Sequence, residues 1–473
     1  DGKTIFADTN LRSNISIDEE LLELEMLYSD VHCYAQGHGC SVAWDTSGTD
    51  PVWIKTSWMA SYNLRQMMAS KIEDEHVLSM NYLATANSEE ICLSLKNFAE
   101  SYCCWIDEIH QKAEKLPEHF KHTAEHNVEK CYLAYQRILN SIELLGDNTA
   151  FRAFQLANEA MLMQRQRTLI KEGRGFEPEK VLWYPFQLAF ILHEISSFIK
   201  PESEERKIVD LLWFPTGGGK TEAYLGIAAF AIFIRRLRKP ENDGVTVIMR
   251  YTLRLLTIQQ FERASMLICA CELLRRKYRL GGSSISIGLW VGGDLTPNSL
   301  SIAQRSIVKQ QRGAIVTEEE SNPCQIQICP WCGSRITAHE YAVDLRKKRM
   351  IVKCSNPDCD FHDMENGLPL HIIDEAIYQH LPAFLVATVD KFAQIPLSEK
   401  PATIFGISSD KNPPDLIIQD ELHLISGPLG TMTGIYEAVV TKLCEKNGIG
   451  AKIIASTATI RNASNQIRAL YGK

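Results

Sequence analysis

The chain has no excess of positive charge. Its 50 Lys and Arg are outnumbered by 58 Asp and Glu, which leaves a formal net charge of −8. That excludes a globally basic nucleic-acid-binding surface, so any such contact must be a local patch. A long hydrophobic run is also missing. The longest apolar stretch, Ala223 to Ile234, falls short of the roughly 20 residues a membrane span needs. It reads as a buried helix, and no membrane partner is expected. No signal-peptide pattern is visible, and no repeat of fixed period runs through the sequence. Cysteine is plentiful at 14, but a disulfide scaffold suits small secreted chains, not one of 473 residues. A reducing cytoplasm is therefore the expected setting. Hydrophobic content of 45% and charged content of 23% are ordinary for a globular protein, here one of two or three domains.

What is present centres on Phe214-Pro215-Thr216-Gly217-Gly218-Gly219-Lys220-Thr221. An apolar strand candidate, Val209–Trp213, precedes it, and a helix-forming segment, Glu222 to Arg238, follows. Strand, glycine-rich turn and helix make a P-loop arrangement. Consecutive glycines let backbone N–H groups converge on phosphate, and the helix N-terminus adds partial positive charge. Lys220 would reach the terminal phosphates of ATP, and Thr221 would ligate Mg²⁺. The pattern departs from a full P-loop at Phe214, where its first glycine would fall.

Upstream, residues 1–175 read as a mainly α-helical domain. Ser16 with Glu19 forms a candidate capping box. Tyr34 to Trp44 is broken by glycine and reads as a loop or short hairpin, in which His38 and Cys40 are weak metal-ligand candidates. Ile91, Leu95, Phe98, Tyr102, Trp105 and Ile109 recur at helical spacing, as do Val128, Tyr132, Tyr135, Leu139 and Ile142 before Gly146. A third helix is expected from about Thr149 to Lys171. These stripes are core candidates.

Residues 176–473 alternate strand and helix as α/β folds do. Strand candidates are Val245–Arg250, Ser286–Val291, Ala383–Val389, Asp415–Asp420 and Lys452–Ser456. The expectation is a mostly parallel, doubly wound sheet with the P-loop at the carboxyl end of a central strand. Asp415-Leu-Ile-Ile-Gln-Asp420-Glu421-Leu422-His423 is an apolar strand ending in two acids. Asp420 would hold Mg²⁺ opposite Thr221, and Glu421 would orient the attacking water. Gln187 in Trp183-Tyr-Pro-Phe-Gln187 is either a surface glutamine or a reader of the adenine edge through its paired donor and acceptor.

Residues 320–365 interrupt this pattern with Cys329-Pro-Trp-Cys332 and Cys354-x₄-Cys359. That spacing is a zinc-ribbon signal: four thiolates close a structural Zn²⁺ site. His362 is the competing fourth ligand, and an iron–sulfur cluster the competing cofactor. Basic runs at Arg235, Arg236, Arg238 and Lys239, and at Arg275, Arg276, Lys277 and Arg279, read either as solvated helix ends or as phosphate contacts.

In order, Gly-Gly-Lys-Thr, Asp420-Glu-Leu-His423 and Ser456-Thr457-Ala458-Thr459 resemble motifs I, II and III of superfamily 2 helicases. Arg250 to Gln260 resembles motif Ia, and Ala387 to Phe392 resembles motif Ib. The resemblance implies a RecA-like first motor domain, with an adenine-reading role for Gln187. It implies that His423, Ser456, Thr457 and Thr459 couple nucleotide state to movement, and that Thr252, Arg254 and Thr388 touch a nucleic-acid backbone. No candidate follows for motifs IV to VI, the second RecA-like domain or its arginine finger, so hydrolysis by these residues alone is expected to be weak. PTGGGKTEAYLG, MRYTLRLLTIQQFERA, QDELHLISGPLGTMTG, YAQGHGC and AFQLANEAM are similar to the helicase subunits of DISARM phage-defence systems. That closer resemblance implies a bacterial, cytoplasmic ATPase acting on phage DNA with a single-stranded portion, beside a DUF1998-containing subunit. The expected activity is ATP-driven DNA translocation or remodelling. The rivals are an RNA helicase and a nucleotide-gated DNA-binding clamp.

Overall fold

The computed structural model describes residues 19–29, 31–45, 51–59, 72, 74–214, 217–314, 321–363, 365–407, 409–458 and 463–472, with the backbone alone at 20, 254 and 255. Ser16, and with it the expected capping box, lies outside these residues. The chain forms two compact units. One comprises the described residues of 1–70 and 100–136, the other those of 71–99 and 137–473. These units and the two sequence-level domains divide the chain differently.

The elements run in the order α1 (Glu19–Leu27), β1 (Ser41–Trp44), β2 (Ile54–Ser57), α2 (Met80–Thr85), α3 (Ser88–Ala113), α4 (Glu118–Leu144), α5 (Asn148–Lys171) and α6 (Pro185–Ile199). Then come β3 (Val209–Trp213), α7 (Lys220–Arg238), β4 (Val247–Tyr251), α8 (Arg254–Lys277), β5 (Ile287–Trp290) and α9 (Leu300–Gln311). The last are β6 (Tyr341–Asp344), β7 (Arg349–Val352), β8 (Leu370–His371), α10 (Asp374–His380), β9 (Phe384–Thr388), β10 (Leu416–Gln419), α11 (Gly427–Leu443), β11 (Lys452–Thr457) and α12 (Ala463–Tyr471).

In the smaller unit β1 and β2 pair antiparallel, Ser41 opposite Ser57, so the glycine-broken stretch is one arm of a hairpin. Ile106, Ala113, Ala124 and Val128 are buried there, with Tyr102, Ile109, Tyr132 and Tyr135 packed against them. Trp105 is 47% exposed, which corrects its place in the α3 stripe. Steps of four and three from Tyr102 to Ile106, Ile109 and Ala113 keep the helical period, and Trp105 falls off that line.

The larger unit is built on a seven-stranded sheet in the order β3-β11-β10-β4-β9-β5-β8, with every pairing parallel. An α/β sheet of this kind fits a RecA-like fold. The residues of β4, β9, β10 and β11 are all buried, as strands covered on both faces must be. This is why they appear in the sequence as nearly unbroken apolar runs. Helix α7 packs against α5 and α6, and its Ala223–Ile234 stretch is buried as expected. A Cβ on Gly226 would come within 2.9 Å of Ile191 and 3.1 Å of Trp183, so glycine permits the close approach of α7 to α6.

The P-loop strand is not central. β3 is an edge strand among the described residues. Its Asp210 is largely buried and held by charge: Arg137 binds both carboxylate oxygens, at 2.7 and 2.8 Å, and Lys452 of the neighbouring β11 pairs with the same group. An apolar run ahead of a P-loop does not reveal how many neighbours the strand will have.

Two segments predicted from helicase resemblance turn out to be structural as well. Arg250 on β4 is 1% exposed, is ion-paired with Glu437 of α11, and sits 5.4 Å from the Phe392 ring. Lys391, in the motif Ib-like stretch, is buried and bonds Asp374 at 2.7 Å. Breaking a buried pair leaves an uncompensated charge. Glu437→Ala should therefore cost about 3–5 kcal/mol of stability. Joining Arg250→Met to Glu437→Leu should recover most of it, and chemical denaturation of the three proteins checks this.

Candidate functional site

Parallel register brings the candidate nucleotide site together. Trp213 lies opposite Thr457, Ser456 opposite Leu212, and Gln419 opposite both Ala455 and Arg250. The segments leaving β3, β10, β11, β4 and β9 thus emerge at one carboxyl edge, where α/β sheets bind ligands.

At that edge β3 leads into the glycine turn. Gly217 and Gly219 adopt φ of 81° and 89°, and Gly219 caps α7 in the left-handed conformation. Thr216 lies outside the described residues. Lys220 is 8% exposed and donates its ammonium to the Phe214 carbonyl at 2.6 Å. It is thereby folded over the loop it belongs to. Gln187 is buried. Its Oε1 accepts from the Tyr184 N–H and its Nε2 donates to the Gly219 carbonyl, both at 2.8 Å. The amide therefore ties the start of α6 to the P-loop. Both groups that would read an adenine are engaged with the protein.

Asp420 ends β10 and is 5% exposed. Its Oδ1 accepts from the Glu421 N–H at 2.9 Å, and its Oδ2 accepts from the Tyr224 hydroxyl at 2.7 Å. The Tyr224 oxygen also lies 3.1 Å from Thr221 Oγ1. Burial, and then the Asp420 charge, push the Tyr224 phenol well above its ordinary pKa, so it stays protonated. Glu421 has φ 51° and ψ 48°, an uncommon backbone state for a residue with a side chain. It lies 3.4 Å from His423 Nδ1, which in turn is 3.1 Å from Thr457 Oγ1. Motif II-like and motif III-like segments therefore touch through His423. Ser456 is fully buried, and its hydroxyl has no hydrogen-bond partner. Thr459 lies outside the described residues.

The nucleic-acid candidates are placed less openly. Arg254 opens α8, but its side chain is outside the described set. Thr388 is fully buried, and the hydroxyls of Thr388 and Thr252 are both buried without partners. Of the basic runs, Arg235 and Arg236 are buried, whereas Arg238, Lys239, Arg276, Lys277 and Arg279 are exposed, as solvated helix ends would be. Arg235 donates to the Val245 and Pro413 carbonyls, Arg236 to Gly281 and Ser283, and Arg238 to Phe198 and Ile199. Arg275 and Arg276 share Glu272, while Lys277 pairs with Glu159. Glu272 lies on the same helix as its two arginines, whereas Pro413 and Glu159, distant in sequence, are partners that a local charge run does not reveal.

The second cluster is the cysteine hairpin. The Sγ atoms of Cys329, Cys332, Cys354 and Cys359 all lie within 4.8 Å of one another. Thiolates at about 2.3 Å around one tetrahedral ion are spaced on this scale, so the donor set fits Zn²⁺. Gly333, at φ 83°, turns the chain so that its N–H meets the Cys329 carbonyl at 3.0 Å. The Cys359 thiol, with the backbone N–H groups of Cys332 and Trp331, pulls the Cys329 thiol below its ordinary pKa against the effect of burial. His362 Nδ1 is 2.7 Å from the Cys354 carbonyl and stands outside the cluster. His38 and Cys40 belong to no such cluster among the described residues. Lys171 of α5 donates to the Cys329 and Pro330 carbonyls at 3.2 and 2.7 Å, and Arg167 stacks 4.4 Å over Trp331. The hairpin is thus fastened to α5.

Sequence reasoning missed Tyr224. Its signal was available: three residues beyond Thr221 is the next position on the same helix face. The buried partner it meets, Asp420, is visible only in the fold.

Purified protein should carry about one Zn²⁺ per chain by elemental analysis. Cys329→Ser should lose it, and His362→Ala should keep it.

No protein-family model matches the chain. A curated protein, "DISARM protein DrmA" of Bacillus paralicheniformis (strain ATCC 9945a / NCIMB 11709 / CD-2), is 35% identical over 516 aligned residues, covering 95% of this chain and 45% of that protein. The chain thus spans a little under half the length of this relative. With similarity running through nearly all of its residues, together with the motif I-like and motif II-like segments meeting at one sheet edge, the chain is a DrmA-like DISARM sequence.

Proposed function

We propose that the chain binds ATP with Mg²⁺ and forms the nucleotide-binding part of a superfamily 2-type DNA motor in an anti-phage defence system. The observation that carries this reading is the meeting of the Gly217–Thr221 turn, Asp420 and Glu421 at one edge of a parallel sheet. The name of the DrmA relative supports the defence setting. A DUF1998-containing subunit as partner, DNA over RNA as substrate, and a cytoplasmic location belong to the same proposal. No described helix is long and apolar enough to cross a membrane.

In this reading residues 176–473 are the RecA-like ATPase region, with residues 320–365 as an inserted zinc ribbon. Residues 1–175 are a mainly helical region whose α5 buttresses the P-loop helix. Lys220 leaves the Phe214 carbonyl and turns to the terminal phosphates, exchanging a neutral acceptor for a charged one, which is the stronger bond. Thr221 and Asp420 offer oxygen ligands for Mg²⁺, which when bound neutralises charge developing on the phosphates. Glu421, held by His423, orients water for attack. The His423–Thr457 contact passes the state of Glu421 to β11, which also carries Ser456, and Thr459 shares this coupling role. Gln187 releases Gly219 to read adenine, so nucleotide binding alters the P-loop. Thr252, Arg254 and Thr388 lie at or just beyond the carboxyl ends of β4 and β9 and meet a nucleic-acid backbone once their loops open. Four thiolates give the zinc ribbon no open position, so its role is structural.

Two experiments test this. Lys220→Ala should weaken ATP binding at least tenfold, whereas Glu421→Gln should keep affinity and lose turnover; normal turnover by Glu421→Gln would contradict its role. Arg254→Ala should weaken DNA binding with little sequence dependence and flatten the salt slope by about one unit. Salt titrations with DNA and RNA of the same sequence also choose between the two substrates.

A further inference from the structure

We infer that Tyr224 is a positioning residue for the metal of the nucleotide site: its hydroxyl presets both protein ligands, Thr221 and Asp420. This rests on the ATP reading above and goes beyond it. Tyr224 is 1% exposed, on the second turn of α7. Its one hydroxyl oxygen lies 2.7 Å from Asp420 Oδ2 and 3.1 Å from Thr221 Oγ1.

Proton counting fixes the direction of the two bonds. A phenol has one proton and two lone pairs, and a carboxylate only accepts. The Tyr224 proton therefore goes to Asp420. The bond to Thr221 then has to run the other way, with the threonine hydroxyl donating to the tyrosine oxygen. The Thr221 proton is thereby turned toward the protein, and its lone pairs are left for a cation. Asp420 is fixed at both oxygens, Oδ1 by the Glu421 N–H at 2.9 Å and Oδ2 by Tyr224. Each carboxylate oxygen retains a lone pair for further coordination. Partners of this kind set the orientation of ligands without touching the metal.

The neighbourhood holds the arrangement rigid. The Tyr251 ring is equally buried, and its hydroxyl interacts with Tyr224 and Asp420. Gln419 Nε2 donates to the Asp420 carbonyl at 3.0 Å. Deleting the Tyr224 oxygen would free the Thr221 rotor and remove one donor from Asp420 Oδ2, with the Tyr251 hydroxyl still beside the carboxylate, while leaving the glycine turn and Lys220 untouched. The loss should fall on metal affinity and not on contact with the phosphates.

The test is Tyr224→Phe, with circular dichroism to check folding. Binding of a fluorescent ATP analogue is followed as free Mg²⁺ is raised, and again in EDTA. Mn²⁺ uptake by electron paramagnetic resonance, with nucleotide present, reads the metal directly. Affinity in EDTA should match wild type. The Mg²⁺ concentration for half-maximal enhancement should rise about 10-fold or more, the usual effect of losing such a partner, and Mn²⁺ affinity should fall in step. Equal half-saturation in both proteins would overturn the positioning role while the ATP site stands. So would an equal loss of nucleotide affinity with and without Mg²⁺, because a purely structural effect would do that. A wild-type protein that binds no nucleotide in either condition would remove the ATP site, and this role with it.

Discussion

The in-register parallel pairing of β3, β11 and β10 is the constraint on which the site depends. Trp213 is level with Thr457, and Gln419 with Ala455. The residue after each strand therefore emerges on one edge, and the glycine turn, Asp420 and the motif III-like segment are brought together without contacting one another in sequence. A slip of one residue in β10 would turn Gln419 and its neighbours to the opposite face. Burial guards against that slip, since every residue of β10 and β11 is buried.

Around that edge the polar groups are engaged with one another. Lys220 is on Phe214, Gln187 on Gly219, Tyr224 on Asp420, and His423 between Glu421 and Thr457. These bonds give most of the buried polar groups there partners, while the hydroxyls of Ser456, Thr388 and Thr252 have none. The bonds are also what a nucleotide bound here would have to exchange. In the proposed reading, phosphate would compete with a carbonyl for Lys220, and adenine with Gly219 for Gln187.

The strands were legible because fully buried strands are written as apolar runs. Val209–Trp213 appears with its expected bounds, and Lys452–Thr457 extends the expected strand by one residue. The cysteine cluster was legible from spacing alone. What depended on distant partners was not. Nothing near β3 announces that it is an edge strand held by Arg137 and Lys452. The arginines at the end of α7 look like a basic patch until the carbonyls of Val245, Pro413 and Gly281 are seen to claim them. Arg250 sits in a motif Ia-like stretch, yet Glu437, on a helix far along the chain, takes its charge. Trp105 fell out of its stripe through the ordinary drift of helical period. Tyr224 was passed over because its significance lies in Asp420, which only the fold brings near.

The central claim is that this sheet edge is a site for nucleotide phosphates. Equilibrium dialysis of the chain against radiolabelled ATP with Mg²⁺ tests it most directly. The account predicts about one bound nucleotide per chain, displaced by ADP and not by adenosine, because the glycine turn and Lys220 recognise phosphate. No bound nucleotide, or displacement by adenosine as readily as by ADP, would contradict it.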